Sequence, residues 1–358
     1  MKILGRYLLR TNLYYISVCL ALGVGIYILS DLFDRLDDFV EAGLGFKTIV
    51  VYFLVKTPLI ISQILPVIFL LSVMVQLSIM GRSRELLALQ TGGVPLDKVV
   101  LFLVIYGVVW AGVQLGFSQL VGVHGEQEAY RIWKEEVRDQ PIDNRIMTDV
   151  WFREGPYVVK IDTLYPYREE GEGEGVTVYM LDDQELEWRK IIRAETFRVD
   201  DNTWTLYQAE VVDPTDFSFS TQGMMNLPLQ HDLQSHTAIE GDPARLPLWR
   251  LSLEIERLRA SGSNVERLRS AWHMKLAYAF SIPVMALIAM ALVTWRDNIY
   301  LNVALSMVLA FAYYGGFVVG ASAGEKGLVP PFLGAWGANL VFGLLAMARL
   351  SWVFRSRA

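Results

Sequence analysis

The chain has 358 residues, 53% of them hydrophobic, and a formal net charge of −6. Hydrophobic and acidic residues are so unevenly distributed along it that an ordinary soluble domain is excluded. The single cysteine, Cys19, excludes any intrachain disulfide, and no nucleic-acid partner is expected.

Six stretches contain no Asp, Glu, Lys or Arg: 11–30, 57–81, 99–123, 276–295, 298–324 and 327–348. Each approaches or exceeds the roughly 20 residues needed to cross a hydrocarbon core of about 30 Å. Residues 124–269 carry 29 acids against 17 bases, a net of −12, and the remaining residues carry 9 against 15, a net of +6. The expected division is three spans in 1–123, a polar domain in 124–269 and three spans in 270–358. Orientation follows the bases of the short loops. Lys2, Arg6 and Arg10 precede the first span, Arg82, Arg84 and Lys98 separate the second from the third, and Arg349, Arg355 and Arg357 follow the sixth. Both termini are therefore expected in the cytoplasm, with the acidic loop at 31–48 and the polar domain outside. The first apolar run exceeds a signal-peptide core of about 7–15 residues and reads as a retained span.

Taken in order, span one runs into Asp31-Leu-Phe-Asp-Arg-Leu-Asp-Asp-Phe39, where Leu32, Phe33, Leu36 and Phe39 recur at helical spacing. This extension is either a helix end with solvated acids or, at Asp31, Asp34 and Arg35, the border of a portal. Span two carries Pro58, Pro66 and Lys56; an ammonium at membrane depth snorkels, pairs or faces a polar cavity, so Lys56 is a candidate for an anionic ligand. The stretch Arg82-Ser-Arg-Glu-Leu-Leu-Ala-Leu-Gln-Thr-Gly-Gly-Val-Pro95 predicts a short amphipathic helix. Glu85 lies in its first turn, Leu86, Leu87 and Leu89 share an apolar face, and Gly92, Gly93 and Pro95 stop it. So short a helix needs a surface to pack on, the membrane interface or a partner. Span three has Gly107, Gly112 and Gly116 for close helix packing.

Between 145 and 245 the pattern turns strand-like. The runs Val150–Arg153, Tyr157–Asp162, Val176–Leu181, Lys190–Ala194, Trp204–Tyr207 and Phe217–Ser220 are bounded by Gly, Pro and Asp turns. Short strands without intervening helices predict a sandwich or jelly roll. Leu248–Leu258 returns as an amphipathic helix, His273 and Lys275 sit at the entry to span four, and Trp336 and Asn339 are polar handles on span six. No phosphate loop, His-Glu-x-x-His or nucleophile elbow occurs, and the four histidines (124, 231, 236, 273) are scattered, so neither a metal nor a catalytic set is expected. The spans lack chains of buried carboxylates, so directional work would draw its energy from another polypeptide.

Gly5-Arg-Tyr-Leu-Leu-Arg10, Asp34-Arg-Leu-Asp-Asp-Phe-Val-Glu-Ala-Gly43, Arg82–Gly92, His273-Met-Lys-Leu-Ala277 with Pro283, and Pro330-Pro-Phe-Leu-Gly-Ala-Trp-Gly-Ala-Asn339 stand in this order and topology. Over nearly its whole length the chain resembles the LptF/LptG lipopolysaccharide export permeases, and its N-terminal sequence looks more like the LptG member. The resemblance implies a polytopic inner-membrane protein with an inserted periplasmic jelly-roll-like domain. It implies a non-catalytic subunit that binds no cofactor and is paired with a second homologous permease and two copies of a cytosolic ABC ATPase, which uses the ATP. It also implies that Arg82, Arg84, Glu85, Leu86, Leu87 and Leu89 engage the ATPase. Spans one and five would gate lipopolysaccharide into a cavity, and the β domain would pass it to a periplasmic jelly-roll bridge protein. Family members can carry lysines at the outer end of span one; here acids crowd that place, and the substrate-binding candidates are Asp31, Arg35, Lys47, Lys56 and Lys275. The competing expectation is a membrane-anchored scaffold whose β domain recruits envelope proteins.

Overall fold

The computed structural model describes residues 2–139, 147–165, 172–181, 188–200, 203–214, 218–229, 242–260, 264–295 and 298–357. Helix α1 (Lys2–Glu41) is followed by α2 (Phe46–Arg82), the short α3 (Glu85–Thr91) and α4 (Leu96–Phe117). A π-helical turn at Ser118–Gly122 carries α4 into α5 (Val123–Ile132), and a second turn at Trp133–Val137 ends that run. After six strands come α6 (Leu248–Ala260), α7 (Glu266–Ala279), α8 (Ser281–Val293), α9 (Ile299–Glu325) and α10 (Pro331–Arg357). Among the described residues five helices are long and apolar enough to cross a membrane, and the pair α7–α8, bent by 42°, makes a sixth if it is one span. The bend has a local cause. Pro283 has no N–H and its ring crowds the carbonyl four residues back, that of Ala279, where α7 ends.

Two compact units emerge, one of residues 1–130, 247–252 and 266–358, the other of 131–246 and 253–265. The first division follows Tyr130, inside helical backbone that continues through the π-turn at Ser118–Gly122.

Within the helical unit, polar side chains mend the damage that prolines do. Pro66 leaves the carbonyl of Ser62 without its intrahelical donor, and Gln114 Nε2 of α4 donates to that oxygen at 3.2 Å. Asn339 of α10 accepts from Tyr313 Oη of α9 at 2.7 Å and donates to the carbonyl of Ala277 of α7 at 2.7 Å, so one side chain joins three helices. Trp336, the other expected handle, makes no such link; its indole nitrogen is buried without a partner among the described residues. Small residues set the closest approaches. The backbones of Gly320 and Gly334 meet where α9 crosses α10, and a Cβ on Gly107 would stand 2.9 Å from Pro283 Cα. Gly112, one turn on, faces open space. Gly107→Val should therefore cost about 1–3 kcal/mol by forcing α4 off α8, while Gly112→Val costs little. Thermal unfolding of the two variants in detergent checks this, and equal losses would contradict it.

The second unit is built on one antiparallel sheet, β1 (Met147–Glu154), β2 (Tyr157–Tyr165), β3 (Glu172–Leu181), β4 (Trp188–Asp200), β5 (Thr203–Asp213) and β6 (Ser218–Leu227), with each strand beside its sequence neighbour. The opposing walls expected of a sandwich or jelly roll arise here from one sheet that curls. Four strand spacings separate β1 from β5, about 19 Å across a flat sheet. Yet the rings of Phe152 (β1) and Trp204 (β5) lie 5.6 Å apart, with Phe197 stacked on Trp204 at 5.1 Å.

The curl has a crease. Pairing between strands is interrupted at one level throughout: at Asp149 against Asp162, Asp162 against Gly175, Gly175 against Glu195, Glu195 against Gln208, and Gln208 against Gly223. Alternate strands take the left-handed conformation there, with φ of 56° at Asp149, 67° at Gly175 and 53° at Gln208. The register is the same on either side of this level, where both strands of each pair leave residues unpaired, and buried positions flanking it are three apart: Ile161 and Leu164, Gly173 and Val176, Ala194 and Phe197, Leu206 and Ala209. β2 to β5 thus keep apolar side chains inward on both sides of this level, whereas Phe219 and Met224 of β6 are exposed. Gly173 has no room for a side chain, since a Cβ there would run into the Phe197 ring.

Candidate functional site

At the end of the helical unit where α1 finishes, a charged cluster forms inside otherwise apolar surroundings. Lys56 Nζ donates to Asp31 Oδ2 at 2.6 Å and to Tyr52 Oη at 3.3 Å, and Arg35 Nε donates to Asp31 Oδ1 at 3.0 Å. The spacings explain the meeting. Asp31 and Arg35 are one turn apart on α1, Tyr52 and Lys56 one turn apart on α2, and the rings of Phe39, Tyr52 and Phe53 pack the two helices together edge to face. The Tyr52 ring also faces both cations, 5.3 Å from Lys56 Nζ and 6.0 Å from Arg35 Cζ. Glu126 on α5 adds its charge to the field at Lys56, so two acids oppose two bases. Side-chain exposure ranks the access of the three bonded charges: Lys56 is 11% exposed, Asp31 14% and Arg35 30%. Lys56 neither snorkels nor points at open space; it is spent on Asp31. Arg35 is the cation with a face toward the surroundings.

Three of the five substrate-binding candidates, Asp31, Arg35 and Lys56, are thus brought together. Lys47 is exposed in the first turn of α2, about 13 Å along the axis from Lys56. Lys275 is half-buried on α7, which packs on α4, α9 and α10. Tyr52 was not anticipated, although its place one turn before Lys56 was the available signal.

At the opposite end, α3 stands on the surface without a buried residue. It is shorter than the predicted 82–95. Arg82 closes α2, and Arg84 takes φ 59°, a left-handed residue that turns the chain, so neither lies on the helix. The expected shared face of three leucines is also split. Leu86 packs on the apolar core and Leu89 is half-buried, while Leu87, 100° round the helix from Leu86, is 56% exposed. Glu85 accepts from Tyr7 Oη at 3.0 Å and from Ser83 Oγ at 3.0 Å. Tyr7 is the second residue that the sequence did not single out.

Between the two ends α1 shows an outward apolar stripe, Val18, Leu22, Ile26, Leu29, Phe33 and Val40, all exposed at helical spacing. Its inward face holds Leu8, Asn12, Ile16 and Phe39. Of the residues first considered for metals, His231 and His236 lie outside the described residues, and among the described residues no three His, Cys, Asp or Glu side chains gather.

Comparison with protein families settles what this arrangement belongs to. The family described as lipopolysaccharide export system permease LptF/LptG matches residues 6–352. The chain belongs to the LptF/LptG family. The match runs through both groups of spans, α3 and the β domain, so the whole architecture is that of this permease family. No curated relative matches the chain. LptF/LptG membership makes it a multi-pass inner-membrane protein of lipopolysaccharide export and a permease subunit.

Proposed function

We propose that this LptF/LptG chain is one permease of an ABC exporter that extracts lipopolysaccharide from the inner membrane, with ATP hydrolysed by a separate cytosolic ATPase in two copies. The observation that carries this reading is α3, a seven-residue surface helix between two spans, with an exposed Leu87 and a carboxylate in its first turn. A helix too short to persist alone, held outward by its neighbours, is a shape suited to a groove on a partner. Glu85 and Leu87 would enter that groove, and the bases at Arg82 and Arg84 would frame it. α3 and both termini would then be cytoplasmic, with the curled β domain periplasmic and passing lipid to a jelly-roll bridge protein. The apolar stripe of α1 would face the second permease and the lipid acyl chains, while Arg35, half-buried and bonded to Asp31, would turn the accessible part of its guanidinium to a lipid phosphate. The chain itself needs no bound cofactor in this scheme.

The test is ATP-driven transfer. The complex purified with its ATPase and placed in vesicles containing lipopolysaccharide should release the lipid to a soluble acceptor only when ATP is hydrolysed. Absence of transfer, or equal transfer without nucleotide, would contradict the reading.

A further inference from the structure

We infer that Tyr7 is a positioning residue that ties α1 to α3, so that movement of the ATPase-docking helix is delivered to span one. The inference rests on the reading of α3 given above. Tyr7 Oη donates to Glu85 Oε2 at 3.0 Å across 78 positions of sequence. The Ser83 hydroxyl stands 3.0 Å from the other oxygen of that carboxylate and 3.0 Å from the carbonyl of Ile79, so its one proton serves either acceptor.

The contact is not an isolated touch. The first turns of α1 border a notch, with Leu4, Gly5 and Leu8 on one side and Val94 of the segment leaving α3 and Lys98, Val99 and Phe102 of α4 on the other. Gly5 permits the fit, since a Cβ there would stand 3.2 Å from the Phe102 ring. Gln76 Nε2 of α2 donates to the carbonyl of Leu8 at 3.1 Å and fixes the height of α1 beside that notch. From Tyr7 the helix runs with no proline for about 36 Å to Asp31, which holds the Asp31–Lys56 cluster near its far end. A rod clamped at both ends by polar bonds, with an apolar stripe facing outward between them, transmits a push at one end to the other. A cationic group of the ATPase drawn to Glu85 competes with the Tyr7 hydroxyl for the same oxygen. Docking and release of span one are therefore linked through one carboxylate.

The test is a double-mutant cycle in the full complex reconstituted in lipopolysaccharide-containing vesicles, read as lipid released per ATP hydrolysed. Tyr7→Phe keeps the ring and removes only the hydroxyl. It should lower that ratio about fivefold, the size of one hydrogen bond. In the Glu85→Ala background, which removes the acceptor, the same change should add nothing. An unchanged ratio in Tyr7→Phe, or an equal loss in both backgrounds, would overturn the role of Tyr7. A different failure, with Glu85→Gln leaving ATPase binding and the ratio intact, would overturn the docking role of α3 instead.

Discussion

Replacing Lys56 by glutamate should detach the Asp31 end of α1 and, on the proposed function, lower its contact with lipopolysaccharide. Lys56 is the buried cation bonded to Asp31 at 2.6 Å, with Glu126 acting on the same spot. Charge reversal leaves three acids facing one base, Arg35, in a poorly hydrated setting. Removing one partner of a buried ion pair costs about 3–5 kcal/mol, because the remaining charge stays desolvated and unpaired. The loss should appear as a lower unfolding temperature in detergent and as weaker photo-crosslinking of lipopolysaccharide to probes on the C-terminal half of α1. Swapping the pair, Asp31→Lys with Lys56→Asp, restores the opposite charges but sets a lysine at position 31 beside Arg35, so it should recover only part of the stability. If Lys56→Glu matches the wild type in both measurements, the cluster neither holds α1 nor shapes the lipid's entrance.

The second large effect belongs to Glu85→Lys. Glu85 lies on a helix without buried residues, and only the Tyr7 and Ser83 hydroxyls are shown bonding to its carboxylate. Insertion and folding should therefore survive. At an interface, breaking a hydrogen-bonded charge pair costs about 2–5 kcal/mol, so ATPase affinity should fall by roughly 30-fold or more. The neighbouring leucines give an internal comparison. Leu87→Asp, at the exposed position, should weaken docking and leave the permease intact, whereas Leu86→Asp places a charge against the apolar core and should destabilise the chain itself. Quantitative recovery of the ATPase on the immobilised permease, with size-exclusion profiles of each variant, reads both effects. Normal recovery with Glu85→Lys would remove α3 from the docking surface.

How much of this could be read from residues alone differs by region, for physical reasons. The spans were legible because a charge-free run of about 20 residues has few other outcomes in a chain with a polar block between two apolar groups. The six strands were legible as runs, since β-branched and aromatic residues bounded by Gly, Pro and Asp fit a pleated, half-buried surface. The crease was not. It replaces the period of two by a step of three, as in Ile161-Asp-Thr-Leu164, and that local pattern carries no mark of a bend shared by six strands. Candidate cations fared in the same way. Lys56 stood out because a lysine at membrane depth demands an explanation, but the choice among snorkelling, pairing and ligand binding depended on Asp31 arriving from another helix. The split of Leu86 from Leu87 depended on where the helix begins, and that was set by the left-handed turn at Arg84, a residue type that seldom adopts it. Tyr7 gave no signal, since its partner lies 78 positions away.

The most direct test of the central claim is the composition of the complex. The tagged chain would be purified in mild detergent from its own host and everything bound to it identified by mass spectrometry. The account predicts an ATPase in two copies and a second permease of the same family in one, with the ATPase lost and the permease retained when Glu85 is replaced by lysine. Recovery of the chain alone, or with envelope proteins only, would contradict it and favour the anchored scaffold.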